Sequence, residues 1–317
     1  MRHMAVLDLG TNSTMLLLCR ASPAGNLREV REELRMPRLG QGVADTGRLS
    51  AAAIDRTLAA AAELLASLPG RGRGLTVATS AVRDAENRDP FLDAFAVRFG
   101  HRPLLLAGEQ EAAAIFRGAA HDQQTEAETL IDIDIGGGST ELTIGDRRNG
   151  CRLACSLDLG CVRCGERFGL LDAAAPSSLS RLRCEVRKLV EPVAAGFREL
   201  TADSPWRVLA SGGTAAAFAV YQQGLRGFSR SLVHGYRARE CEVAAGAMRL
   251  AAMPLAERTG LPSVESGRAA VLPAGLLILS EILRVLEVSG CTVTTRGLRF
   301  GLALRLRRGE LAANFSW

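Results

Sequence analysis

Lysine is nearly missing from this 317-residue chain, and Lys188 is the only one. That excludes a Gly-Lys-Ser/Thr phosphate loop of the Walker type. A Schiff-base enzyme would have to rely on Lys188, which lies in a charged, helix-like run. Histidine is scarce too. His3, His101, His121 and His234 are scattered, which argues against a multi-histidine metal site. His121-Asp122 has no partner histidine and reads as surface. Aromatics make up 4%, which leaves few stacking platforms, so no nucleic-acid partner is expected. No stretch reaches the roughly 18 uncharged apolar residues of a membrane helix. The longest candidate, Ala269 to Ser280, contains Pro273 and stops at Glu281. It reads as a buried helix, and no membrane partner is expected.

What is present is ordinary for a globular protein: 47% hydrophobic and 23% charged residues. The length predicts about two domains, each able to bury a core. The 39 basic residues exceed the 34 acidic ones, for a net charge of +5. Because the basic side is almost all arginine, it suits a polyanionic ligand such as phosphate. A solvated surface is the plain alternative. Eight cysteines stand at 19, 151, 155, 161, 164, 184, 241 and 291. Asp8 interrupts the N-terminus before any apolar run of useful length, so a secretory signal is not expected. The expectation is free thiols in a reducing cytoplasm. Cys151, Cys155, Cys161 and Cys164 cluster, and a structural zinc site is conceivable there. The spacing is not that of a zinc ribbon, so cysteines used as small hydrophobes are the competing reading.

Apolar runs at Met4–Leu9 and Thr14–Arg20 flank Gly10-Thr11-Asn12-Ser13, which predicts a β-hairpin with a small, hydroxyl-bearing tip. A helix is expected over Ala51–Leu68, a strand over Leu75–Ala78, a helix from Asp89 to Phe99, and a strand over Leu104–Ala107. Gly108 then leads into a helix through Ala120. Thr129–Ile135, the turn Gly136-Gly137-Gly138-Ser139-Thr140, and Glu141–Ile144 repeat the strand–turn–strand pattern. Asp8 and Asp134 both precede their turns, so the chain carries a duplicated motif. Further on, helices are expected over 176–200, 240–258 and 265–287, the last broken at Pro273. Short strands are expected at Val208–Ala210 and Cys291–Thr294. These mixed elements predict an α/β protein.

Three consecutive glycines let the backbone approach a ligand, and successive N–H groups can converge on an anion. Ser139 and Thr140 add hydroxyls. Asp134 and Glu141 are carboxylates beside that site, which makes sense if a divalent cation bridges them to phosphate. Mg²⁺ takes one or two carboxylates plus water and phosphate oxygens. Asp8 stands in the same relation to the first turn. Glu111 opens a helix, where a carboxylate could take a proton from water. It reads equally as a glutamate favoured by the helix dipole. Arg83 could hold phosphate oxygens or form a surface ion pair. Ser211-Gly212-Gly213-Thr214 could receive further phosphate or simply cap a helix.

The order of these pieces resembles the exopolyphosphatase/guanosine pentaphosphate phosphatase family, within the actin, Hsp70 and sugar-kinase superfamily. The resemblance rests on Leu7-Asp8-Leu9-Gly10-Thr11-Asn12-Ser13, Ala78-Thr79-Ser80-Ala81-Val82-Arg83-Asp84-Ala85-Glu86-Asn87, and Gly108-Glu109-Gln110-Glu111-Ala112. It continues through Asp134–Leu142, Leu159-Gly160-Cys161-Val162-Arg163, Ser211-Gly212-Gly213-Thr214 and Gly297-Leu298-Arg299-Phe300-Gly301.

The resemblance implies two actin-like, ribonuclease H-like lobes with a site in the cleft between them. The first lobe would span 1–120, with a C-terminal helix at about 302–317 packing back on it, and the second 121–301. By position Glu111 matches the family's water-activating base. Asp134 and Glu141 match metal-associated carboxylates, and Asp8 matches the first-hairpin carboxylate. Thr11, Asn12, Ser13, Arg83, Gly137, Gly138, Ser139 and Thr140 match phosphate-binding positions. Gly136, Gly212 and Gly213 are the further candidates for phosphate.

The implied activity is Mg²⁺-dependent release of terminal phosphate from inorganic polyphosphate or pppGpp, in the cytoplasm, with a homodimer conceivable. The chain stops at Trp317, where longer family members continue into helical domains, so short chains or pppGpp are expected. The third turn lacks an extra glycine that the family often has before it, and Cys164 replaces a usual apolar residue. An acceptor-dependent phosphotransferase and a non-catalytic sensor of polyphosphate or ppGpp are the rival readings.

Overall fold

The computed structural model describes residues 3–22, 27–121, 123, 129–201 and 205–317. The chain divides into two compact units: one of residues 1–118 and 298–317, the other of residues 119–297. Each unit carries its own β-sheet with helices packed on it, so the α/β class expected from the sequence is what the structure shows.

The first unit begins with β1 (His3–Leu9), β2 (Thr14–Ala21) and β3 (Leu27–Arg35), an antiparallel meander. β4 (Gly72–Ala78) pairs parallel to β1, and the short β5 (Leu104–Leu105) pairs parallel to β4. In the second unit β6 (Thr129–Ile135), β7 (Thr140–Asp146) and β8 (Gly150–Leu157) form the corresponding meander. β9 (Trp206–Ser211) pairs parallel to β6, and β11 (Gly290–Val293) parallel to β9. β10 (Arg237–Arg239) closes that edge antiparallel to β11. β12 (Phe315–Ser316) returns to the first sheet, antiparallel to β4. The duplication seen in the two turns thus extends to strand order in both sheets.

Strand periodicity decides which side chains reach the site. Along β1, Ala5, Leu7 and Leu9 join the core under the helices Ala51–Ala66 and Arg88–Phe99. Met4 and Val6 point to the opposite face, against the helices Gly108–Ala120 and Leu298–Arg308. Asp8 continues that second row, because successive side chains alternate across a strand. In β6, Ile131, Ile133 and Ile135 enter the core with helix Leu272–Val285, which leaves Asp132 and Asp134 together on the other face.

Several elements differ from expectation. The C-terminal helix expected over about 302–317 is the helix Leu298–Arg308, after which the chain turns back as β12. Gly72 and Gly74 make that return possible: side chains there would run into the rings of Trp317 and Phe315. The 240–258 stretch is two helices, Glu240–Ala252 and Leu255–Thr259, separated at Met253-Pro254. Pro273 does not break a helix. It sits in the first turn of Leu272–Val285, where its missing N–H has no intrahelical partner to lose. That helix is the buried apolar stretch identified from the sequence. Among the described residues, no helix is long and apolar enough to cross a membrane. His121 is half-buried, and Asp122 lies outside the described residues.

Candidate active site

The β1–β2 loop is closed by the Gly10 N–H donating to Ser13 O at 3.0 Å. Its carbonyls are held from behind. Gly40 N–H donates to Thr11 O at 2.8 Å, and Arg38 N–H donates to Asn12 O at 3.0 Å. Every peptide described is trans, so each carbonyl points opposite to the N–H that follows it. The N–H groups of Asn12 and Ser13 therefore face away from the Arg38–Gly40 segment. Ala81 N–H donates to Thr11 Oγ1 at 3.2 Å, which ties the loop to the Thr79-Ser80-Ala81 turn.

The β6–β7 loop repeats the arrangement with a different support. Gly136 N–H donates to Ser139 O at 2.9 Å. The first turn of helix Cys161–Phe168 takes the carbonyls: Cys161 N–H donates to Gly136 O at 2.9 Å, and Val162 and Arg163 N–H donate to Gly137 O at 2.9 and 3.1 Å. Arg163 Nε donates to Gly138 O at 2.7 Å. By the same peptide geometry, the N–H groups of Gly137, Gly138 and Ser139 point away from that helix. Successive N–H groups on one side of a loop are able to receive an anion. The hydroxyls are committed elsewhere. Ser139 Oγ donates to Glu141 Oε1 at 2.7 Å, joined there by Ser156 Oγ at 2.8 Å, and Thr140 Oγ1 donates to Leu159 O. The donors of this loop are its amides.

The third turn follows β9. Gly212 sits at φ +75°, a left-handed conformation that favours glycine, and a Cβ there would run into Asp134 Oδ1. Gly297 lies on the other oxygen, its ideal Cβ position 3.5 Å from Asp134 Oδ2. Asp134 is thus wedged between two glycine backbones. At Gly213 a Cβ would meet the guanidinium of Arg268, so an arginine lies directly on the turn. Sequence reading missed Arg268, for which no local pattern existed. It also passed over Asp132, which the strand period from Asp134 could have flagged. Asp132 is fully buried and accepts from Ser211 Oγ at 2.8 Å, while its Oδ1 has no partner. Burial, and then the neighbouring Asp134 charge, push its carboxyl well above the usual range.

Glu111 stands in the first turn of helix Gly108–Ala120 and is buried. Arg83, from the short helix Ser80–Asp84, donates through Nη1 to Glu111 Oε2 at 2.9 Å and to Leu106 O at 3.0 Å. The arginine pins one carboxylate oxygen and so fixes the direction of the other. The structure joins these two predicted residues, which are 28 positions apart.

Asp8 is buried, and burial raises its pKa against the opposing pull of Arg299. Its Oδ1 has no hydrogen-bond partner. An orphaned carboxylate oxygen next to an amide-lined loop fits a hard cation that takes its remaining ligands from water and phosphate. Glu141 has one oxygen already occupied by two serine hydroxyls. Among the described residues, no group of three or more His, Cys, Asp or Glu is placed to hold a metal by itself. The cysteines are free thiols. Cys161 and Cys164 pack in the second core, and burial pushes their thiols up to about 11 and about 12.

The family model of the Ppx/GppA phosphatase family matches residues 19–308. The chain belongs to the Ppx/GppA phosphatase family. Within that family it is similar to exopolyphosphatase 2 of Mycobacterium tuberculosis, 33% identical over 319 residues that cover 96% of this chain and 98% of that protein. It is similar in structure to an exopolyphosphatase-like protein (TM-score 0.86, 30% identity), covering 98% of this chain and all of that one. The Ppx/GppA member from Aquifex aeolicus has a TM-score of 0.78 at 25% identity, with 98% and 99% of the two chains covered. An exopolyphosphatase from Cytophaga hutchinsonii shares the fold at a TM-score of 0.85 and 21% identity, covering 97% and 98%.

Proposed function

We propose that this member of the Ppx/GppA family is a phosphoanhydride hydrolase that removes the terminal phosphate from inorganic polyphosphate or from pppGpp. The observation that carries the reading is the buried Glu111 carboxylate held by Arg83 at 2.9 Å, in a unit that also presents an amide-lined anion loop.

The amides of Asn12 and Ser13, and those of Gly137, Gly138 and Ser139, bind phosphate oxygens. Their carbonyls are already satisfied behind them, so the amides need no rearrangement when charge develops. Glu111 orients a water molecule and takes its proton as the oxygen attacks the terminal phosphorus in line. The P–O bond to the rest of the chain breaks, and the shortened chain leaves with the bridging oxygen. Arg83 fixes the carboxylate for that task. A divalent cation, for which Asp8 in the first unit and Asp134 and Glu141 in the second are the candidate carboxylates, would supply charge neutralisation at the phosphate oxygens. Arg268 on Gly213 adds a fixed positive charge to the third turn.

Phosphate release from tripolyphosphate and pppGpp, with Mg²⁺ and no acceptor, tests the reading. Release with no added acceptor supports hydrolysis, and the faster substrate identifies the class. Release only in the presence of an acceptor would make the chain a phosphotransferase. Tight binding without release would make it a sensor.

A further inference from the structure

The two duplicated loops differ in what holds one matching carbonyl. In the first loop the carbonyl before Ser13 is Asn12 O, and it accepts from a neutral donor, the Arg38 N–H at 3.0 Å. In the second loop the carbonyl before Ser139 is Gly138 O, and it accepts from a guanidinium, Arg163 Nε at 2.7 Å. Arg163 is the third residue of helix Cys161–Phe168, and its own N–H donates to Gly137 O at 3.1 Å. Backbone and side chain of one residue thus grip two successive peptides of the loop. Asp158 Oδ1 lies 3.6 Å from Arg163 Nη2, but that carboxylate is 80% exposed. A solvated pair of this kind is worth little.

A hydrogen bond from a charged donor is shorter and roughly twice as strong as a neutral one. Hydrogen bonds joined through one group also polarise each other, by roughly 10–30% per bond. The Gly138–Ser139 peptide is such a link. Electron density drawn toward its oxygen by the guanidinium makes the Ser139 N–H, on the opposite side, a stronger donor. The Ser139 hydroxyl is already given to Glu141, so the amide is what this residue offers an anion.

We propose that Arg163 is a positioning residue that acts through this peptide: it fixes the Gly138–Ser139 unit and strengthens the Ser139 amide as a donor to a phosphate oxygen. The identity of the anion rests on the hydrolase reading. Calorimetric titration with a methylene-bridged tripolyphosphate analogue, which is not hydrolysed, compares wild type, Arg163→Met and Arg163→Lys. Methionine removes the donor and the charge, and its dissociation constant should rise about tenfold, the size of one lost charge-assisted hydrogen bond. Lysine returns both, and should bind within about threefold of wild type. The Ser139 amide nitrogen resonance reports the peptide with no ligand present. It should move upfield in Arg163→Met and return toward wild type in Arg163→Lys, which a plain loss of helix stability would not produce. Affinity or resonance in folded Arg163→Met equal to wild type, or a lysine variant no better than methionine, overturns the proposal. Should the methionine variant unfold, Arg163→Gln keeps a neutral donor and takes its place, with a loss of about threefold expected and wild-type affinity overturning the proposal. None of these readouts needs turnover. A wild type that binds the analogue but releases no phosphate overturns the hydrolase reading alone, and one that does not bind it overturns both.

Discussion

Arg299 Nη1 donates to Asp8 Oδ2 at 3.2 Å, and the same guanidinium donates through Nε and Nη2 to Glu32 Oε1 at 3.0 and 2.8 Å. The helix that opens at Leu298 thus reaches back to hold the carboxylate at the end of β1 and to clamp the meander strand β3. Arg299→Ala would remove a shared cation from two largely buried carboxylates. Removing one partner of such a pair costs about 3 kcal/mol. Urea unfolding should show a loss of that order, and a smaller loss when Arg299→Ala is made in an Asp8→Asn background. Equal losses in both backgrounds would show that the two residues are not coupled.

Gly160→Ala tests the support of the glycine loop. Gly160 sits at φ −96°, ψ 152°, which alanine adopts freely, so any effect comes from space. A Cβ there would run into the Gly137 carbonyl and push the loop out of register with the helix behind it. Affinity for phosphate substrates should fall at least about tenfold, a loss of roughly 1.4 kcal/mol. Unchanged KM would mean that the loop amides do not bind substrate.

The turns were legible in the sequence because glycine, serine and threonine between apolar runs have few other uses. Hydrophobic periodicity likewise marked β1, β6 and the buried Leu272–Val285 helix. β3 went unpredicted because Arg28, Glu29, Arg31, Glu32 and Glu33 break any apolar alternation, yet an edge strand accommodates them. β12 was missed because what forms it is a pair of rings seated on Gly72 and Gly74 some 240 positions earlier, a contact no local pattern announces. The same holds for Arg299, whose partner Asp8 lies 291 positions away, and for Arg268 on Gly213. Glu111 had no distinguishing local signal, and only its family resemblance lifted it above an ordinary first-turn glutamate.

The cysteines should divide by burial. Burial pushes the thiols of Cys161 and Cys151 up to about 11, and those of Cys164 and Cys291 up to about 12, while Cys184 and Cys241 are exposed. The thiolate is the reactive form. Brief alkylation of the native protein at neutral pH, read by peptide mass spectrometry, should label Cys184 and Cys241 first. Early labelling of Cys161 or Cys164 would contradict the packing described for the second core.

His101 should make the first unit sensitive to acid. Its Nε2 lies 2.8 Å from Thr76 Oγ1, its ring stacks on Phe315, and burial lowers its pKa despite the Phe99 carbonyl at Nδ1. The folded state prefers the neutral ring. That stability is present above the unfolded value of about 6.5 and is lost as pH falls through the depressed folded value. Wild type should therefore lose more melting temperature between about pH 7.5 and pH 5 than His101→Gln does. Equal losses would show that His101 does not titrate with folding.

The most direct test of the account is phosphate release by Glu111→Gln, measured beside wild type with tripolyphosphate and pppGpp. The substitution keeps the volume and an Arg83 acceptor but removes the proton acceptor. The account predicts substrate binding within about twofold of wild type and turnover lower by about 10²–10⁴-fold, the contribution of a positioned general base. Turnover close to wild type would contradict it, and would show that another group activates the water.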